Sequence, residues 1–199
     1  MDNNDYTALQ LDTIKEFANV GGGNAATSIS QMIDKPVNMS VPTIEIMNYV
    51  QVFEQIMPED EKVIAVSMRM FGEAKGNFLF VCSEEKSMDL IKMMVSKSIE
   101  INEEIGYSAI KELTNILVTS YLNAISRMIN VNLISSIPAL AKDMFGAILS
   151  SAYIETDQYD ENIMIIKNEF IQDGDKIESS LYFIPKPGVL SSLFKIIGI

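Results

Sequence analysis

An eight-residue stretch near the start of the chain occurs twice, and that repetition limits the possible folds more than any other feature. Asp12-Thr-Ile-Lys-Glu16-Phe-Ala-Asn19 returns as Ser108-Ala-Ile-Lys-Glu112-Leu-Thr-Asn115, at a constant offset of 96 (12 to 108, 16 to 112, 19 to 115). The same offset carries Ile29, Ser30, Met32 and Ile33 onto Ile125, Ser126, Met128 and Ile129, and Ser40 and Pro42 onto Ser136 and Pro138. A period this long in two copies is no solenoid, whose repeats are far shorter. It reads as a duplicated half-domain, so residues 1–199 are expected to form one domain from two repeats, about 9–97 and 107–199.

On an α-helix, positions i, i+4 and i+7 lie along one face. Asp12, Glu16 and Asn19 form such a row, as do Ser108, Glu112 and Asn115. The apolar positions fall elsewhere: Leu11, Ile14, Ala18, Ala25, Ile29 and Met32 in the first copy, and Ile110, Leu113, Leu117, Ala124, Ile125 and Met128 in the second. One Glu-x2-Asn on a helix is ordinarily just a solvated face. Here the Glu and Asn match between drifted halves while flanking polar positions differ (Gln31 against Arg127, Lys35 against Val131), and packing gives no reason for that. Such a row suits positioning rather than covalent chemistry. A carboxylate pairs with a lysine, and an amide holds a water by donating and accepting hydrogen bonds.

The full pattern, (Asp/Ser)-x3-Glu-x2-Asn-x22-Pro, is intact in both copies and resembles the signature of the CheC phosphatase family of chemotaxis, the group of CheC, CheX and the flagellar switch protein FliY. The flanking text, Val20-Gly-Gly-Gly-Asn24-Ala-Ala-Thr-Ser and Ile116-Leu-Val-Thr-Ser-Tyr121-Leu-Asn-Ala, resembles it as well, and the likeness covers nearly the whole chain. Two motif copies look like CheC; CheX carries one, and FliY adds a C-terminal switch domain that is not expected here. The resemblance implies removal of phosphate from the response regulator CheY. It assigns Asn19 and Asn115 to orienting the hydrolytic water, and Glu16 and Glu112 to pairing with the regulator's active-site lysine. Asp12 and Ser108 are expected to orient the Glu or cap the helix. The Mg²⁺ and the phosphoaspartate belong to the regulator, so the chain is expected to need no cofactor of its own. Relatives also bind the receptor deamidase CheD. A binding module for that partner is the alternative function, with Asp143 in Asp143-Met-Phe-Gly-Ala-Ile148 the candidate contact and a buried turn and strand the competing reading of Met144 and Phe145. A cytoplasmic monomer is expected.

Composition removes several other classes. Fifteen Lys and Arg against 27 Asp and Glu give a net charge of −12 without a basic cluster, which argues against nucleic acid. The absence of histidine removes His-based acid–base catalysis and most zinc sites. Cys82 sits in the apolar run Phe78-Leu-Phe-Val-Cys82, as a small core hydrophobe rather than a reactive thiol. A single cysteine offers no disulfide framework, which suits a reducing compartment. Met1-Asp-Asn-Asn-Asp5 is acidic and polar, unlike a signal peptide, and no apolar run approaches the roughly 20 residues of a membrane span. The 13 methionines are expected mostly as core filling.

The segment order is predicted as helix 9–34, extended 36–47, short helix 49–57, solvated turn 59–62, strands 63–71 and 76–81 around Gly72–Lys75, helix 83–97 with Met88, Leu90, Ile91 and Met94 apolar, and linker 98–107. It repeats as helix 107–130, extended 132–137, the stretch 142–150, strands 162–171 and 176–184 around Asp173-Gly174-Asp175, and helix 187–197. Asp12 is placed as a cap or start of the first helix. Gly21-Gly22-Gly23 is awkward inside a helix, since each glycine costs about 1 kcal/mol relative to alanine. A P-loop fails for want of a preceding strand and a following Lys-Ser/Thr. Gly23 extends the row 12, 16, 19 and is expected to admit a partner's backbone near Asn19, where the second copy has Thr119. The order helix, strand, strand pair, helix predicts an α+β fold with antiparallel pairing. The resemblance adds two pseudo-symmetric half-domains sharing an antiparallel sheet, with the two long motif-bearing helices side by side on one face.

Overall fold

A computed structural model describes residues 6–96, 98–157 and 162–199. The acidic stretch Met1–Asp5 and Lys97, the last residue of the expected helix 83–97, lie outside the described residues. The first half runs α1 (Ala8–Ile33), β1 (Asn38–Met39), β2 (Thr43–Asn48), α2 (Tyr49–Gln55), β3 (Lys62–Gly72), β4 (Gly76–Ser83) and α3 (Glu84–Met94). The second runs α4 (Glu103–Ile129), β5 (Leu133–Ser135), β6 (Ala139–Met144), α5 (Phe145–Glu155), β7 (Asn162–Gln172), β8 (Asp175–Pro185) and α6 (Val189–Ile197). The offset of 96 holds through the edge strands (43 to 139, 48 to 144) and becomes 100 at the hairpin (62 to 162, 72 to 172), after α5, which is longer than α2.

Among the described residues, eight strands form one antiparallel sheet in the order β1-β7-β8-β4-β3-β5, with β2 also on β7 and β6 also on β3. Each half therefore closes the edge of the other. Thr43 of β2 faces Lys167, and its counterpart Ala139 of β6 faces Ser67. The pseudo-two-fold axis passes between β4 and β8. Phe80 and Leu181 occupy equivalent places, opposite Val66 and Ile166 in their own hairpins, and face each other across the centre of the sheet.

Helices cover both faces, which explains why β4 is buried at seven successive positions instead of alternating. Phe78, Phe80 and Cys82 point to the core under α1, α3, α4 and α6, while Leu79 and Val81 point to a second core under α2 and α5. Burial pushes the Cys82 thiol up to about 12, so it stays protonated and behaves as the core hydrophobe its apolar run predicts.

Several sequence expectations need correction. The stretch 98–107 is not all linker, because Asn102 caps α4 at Ile105 N and the helix starts at Glu103. Residues 36–47 are not continuously extended. Pro42 interrupts the strand, and Val41 is exposed in the gap between β1 and β2. Met32, Met88 and Met128 lie on the outer margins of their helices and are partly exposed, so the apolar stripes are narrower than predicted. The turn Glu59–Lys62 is exposed as expected, yet it does a structural job. The carbonyls of Glu59 and Glu61 accept from the Gly146 and Phe145 amides, satisfying a helix start that lacks a side-chain cap.

Candidate functional site

Both motif helices start and stop on local signals. Thr7 and Gln10 form a capping box on α1, Asn102 caps α4, and each helix ends on a left-handed residue at matching places, Asp34 (φ 51°) and Asn130 (φ 54°). Asp12 and Ser108 thus lie inside their helices, and neither is a cap. Asp12 instead makes an exposed ion pair with Lys15 at 3.5 Å.

The inner faces of the two helices bury Ile14, Phe17, Ala18 and Ala25 on α1 and Ile110, Leu113, Leu117 and Tyr121 on α4. With those faces fixed, the spacing of the motif turns both rows outward. Asp12, Glu16, Asn19 and Gly23 are exposed, and so are Ser108, Glu112 and Thr119, while Asn115 is half-buried. Among the described residues, none of Glu16, Asn19, Glu112 and Asn115 makes a side-chain hydrogen bond or an ion pair. Two carboxylates and two amides therefore stand on rigid helical backbone with their hydrogen-bonding capacity unspent.

The glycine run divides into two roles. A Cβ on Gly21 would lie 2.4 Å from Tyr121 Cδ1 and 2.9 Å from the Tyr121 Cα, so α1 and α4 touch backbone to side chain here. On Gly22 a Cβ would come within 3.2 Å of Pro42 Cγ. The motif proline thus marks the strand break over which α1 passes. Both contacts are internal, and sequence reading missed them. The signal was present in the text: Gly21 and Tyr121 replace Leu117 and Ala25 at equivalent places, a small-for-large exchange that keeps the volume. A Cβ on Gly23 meets nothing within 4 Å. Gly23→Ala is therefore expected to raise stability by about 0.5–1 kcal/mol through helix propensity alone, measurable as a higher thermal midpoint.

Asp143 lies apart from the two rows, at the end of β6. It is exposed, and its Oδ1 accepts from the Met144 amide at 2.8 Å. Met144 is 52% exposed, whereas Phe145 begins α5 fully buried. The expected buried turn and strand thus holds for Phe145 in its burial alone. Among the described residues, no three His, Cys, Asp or Glu side chains gather as a metal site, and no helix is long and apolar enough to cross a membrane.

Residues 9–46, which contain the first motif, match the model of the CheC-like family. Over 196 residues, 95% of this chain and 94% of the relative, the chain is 24% identical to the CheY-P phosphatase CheC of Bacillus subtilis (strain 168). The fold is similar to FliY of Thermotoga maritima (TM-score 0.76, 19% identity, 96% of this chain and 97% of that one). It is also similar to the FliM middle domain of H. pylori (TM-score 0.65, 11% identity, 96% and 99%). In its duplicated motif, in its match across nearly the whole length of the Bacillus protein and in its fold, the chain is similar to CheC-like proteins.

Proposed function

We propose that this chain hydrolyses the aspartyl phosphate of the chemotaxis response regulator CheY, in the cytoplasm, with one site on each motif helix. The observation that supports this best is the pair of unpartnered Glu/Asn rows, displayed outward at the same places of a duplicated fold. The Bacillus relative is named a CheY-P phosphatase. Phosphoryl transfer depends mostly on positioning and electrostatics, and an amide that orients the attacking water is a recurring device. Asn19 and Asn115 take that role. Glu16 and Glu112 meet the regulator's lysine and fix register, and Asp12 and Ser108 support them. The regulator supplies Mg²⁺, so this chain contributes side chains only. Phosphate release from acetyl-phosphate-labelled regulator, with and without this protein, tests the reading, and no stimulation would end it.

Charge reversal probes the carboxylates. Glu16→Lys with Glu112→Lys places like charge against the regulator's lysine and is expected to weaken the complex at least tenfold at low salt. The loss should soften as salt rises, because both positions are wet. Titration of phosphorylated regulator at two ionic strengths checks it, and unchanged affinity removes the lysine pairing.

The exposure of Asp143 and Met144 favours a second reading, in which the end of β6 docks the receptor deamidase CheD and binding is the main task. Asp143→Lys separates the two: it should abolish that complex while leaving regulator dephosphorylation intact.

A further inference from the structure

The core under the motif helices contains a polar contact that the fold itself does not require. Tyr121 Oη donates to Asn168 Oδ1 at 2.7 Å, and Asn168 Nδ2 donates to the Ile166 carbonyl at 3.1 Å. Both residues are 2% exposed. Tyr121 belongs to α4, but its ring fills the space left by Gly21 of α1, and its hydroxyl passes beside Gly22 to reach β7. Asn168 sits between the two positions where the edge strands pair with β7, Phe170 with Met39 and Lys167 with Thr43, opposite the break at Pro42. One hydrogen bond thus ties α4, the glycine turn of α1, the motif proline and the sheet to a common point. Gly21, whose place the Tyr121 ring fills, is two residues beyond Asn19.

The duplication supplies an internal control. The equivalents of Tyr121 and Asn168 are Ala25 and Met68 (25 to 121, 68 to 168), both fully buried in the same core and wholly apolar. This architecture is therefore satisfied by apolar packing at that place. A buried polar pair seldom stabilises more than its apolar replacement, and its best-attested use is to fix one arrangement among several. Ridge-and-groove packing between two helices tolerates a range of crossing angles. A directional bond narrows that range.

We infer that Tyr121 and Asn168 form a positioning pair, whose buried hydrogen bond fixes how α1 crosses α4 and hence how the two Glu/Asn rows stand relative to each other. Neither residue touches the regulator. Their effect on turnover rests on the reading under Proposed function, while their effect on the helix crossing does not.

The experiment gives this half the residues of its twin: Tyr121→Phe with Asn168→Met. Spin labels on Gln31→Cys and Arg127→Cys, exposed and equivalent places outside both rows, report the crossing. Cys82 stays unlabelled, because it is buried with its thiol held protonated. The expected result is a thermal midpoint within a few degrees of the parent and a clearly broadened or shifted inter-label distance. With both rows intact, kcat for regulator dephosphorylation falls about tenfold or more with KM little changed. An unchanged distance distribution overturns the inference, and so does broadening seen only together with collapse of the thermal transition. If the double variant does not fold, Tyr121→Phe alone carries the same distance measurement. If the parent protein shows no dephosphorylation, the reading under Proposed function fails and the distances alone decide the pair.

Discussion

Removal of both amides, Asn19→Ala with Asn115→Ala, is expected to abolish stimulated dephosphorylation of the regulator while the protein stays folded. Orienting one water supplies on the order of 10²-fold in rate, about 2.7 kcal/mol at the transition state. Among the described residues neither amide has a hydrogen-bond partner, so truncation orphans no buried group there. The change in stability should stay near 0.5 kcal/mol, as for other surface substitutions. Single variants then compare the sites. The first has open space at Gly23 and an exposed Asn19, whereas the second has Thr119 and a half-buried Asn115. On sterics the first site should be no weaker, and the ion-paired Asp12 adds at most about 1 kcal/mol of repulsion at a wet surface. Near-full activity in Asn19→Ala beside near-zero activity in Asn115→Ala would reverse that order. A double variant that still works at the parent rate removes the water-positioning role.

Gly21→Ala is expected to have the largest effect on stability of any single methyl added to α1. The new Cβ would overlap both the ring and the Cα of Tyr121, and the Cα, being backbone, cannot rotate away. Overpacking of this kind costs about 1–3 kcal/mol, and backbone overlap puts this case at the upper end. Improved helix propensity returns about 1 kcal/mol. The net is a loss of about 2 kcal/mol, or roughly 4–8 °C in thermal midpoint for a chain of this size. Tyr121→Leu should recover part of it, and a double-mutant cycle would read the coupling directly. A Gly21→Ala protein as stable as the parent would mean that the helices separate at little cost.

These two residues also mark the limit of what the sequence discloses. Element order was readable because each element has a local cause: the 3.6-residue stripe of Ile110, Leu113 and Leu117, the turn at Asp173-Gly174, the apolar run of β4. The outward row was readable because duplication retained Glu and Asn where packing made no demand. The function of Gly21 was not, since a glycine's neighbour across a helix pair is a matter of tertiary distance, and Tyr121 lies far away along the chain. Local pattern likewise misplaced Asp12. An aspartate near a helix start resembles a cap, but Thr7 and Gln10 satisfy the first amides earlier. Nor does any local signal say that Thr43 pairs with Lys167, because strand alternation specifies which face is buried and is silent about the partner.

The exchange of edge strands has a consequence for how the chain comes into being. A ribosome releases β2, β3 and β4 well before it has made β6, β7 and β8, the strands against which β2, β3 and β4 complete their ladders. Until then β3 and β4 form at most a lone hairpin with both outer rows of backbone amides and carbonyls open, and β2 has no mate at all. Such pairings between distant residues form late and slowly, and an unpaired strand edge is a template for any other extended chain nearby. The nascent first half is thus held incomplete by topology, and translation speed sets how long its edges stay available to strangers.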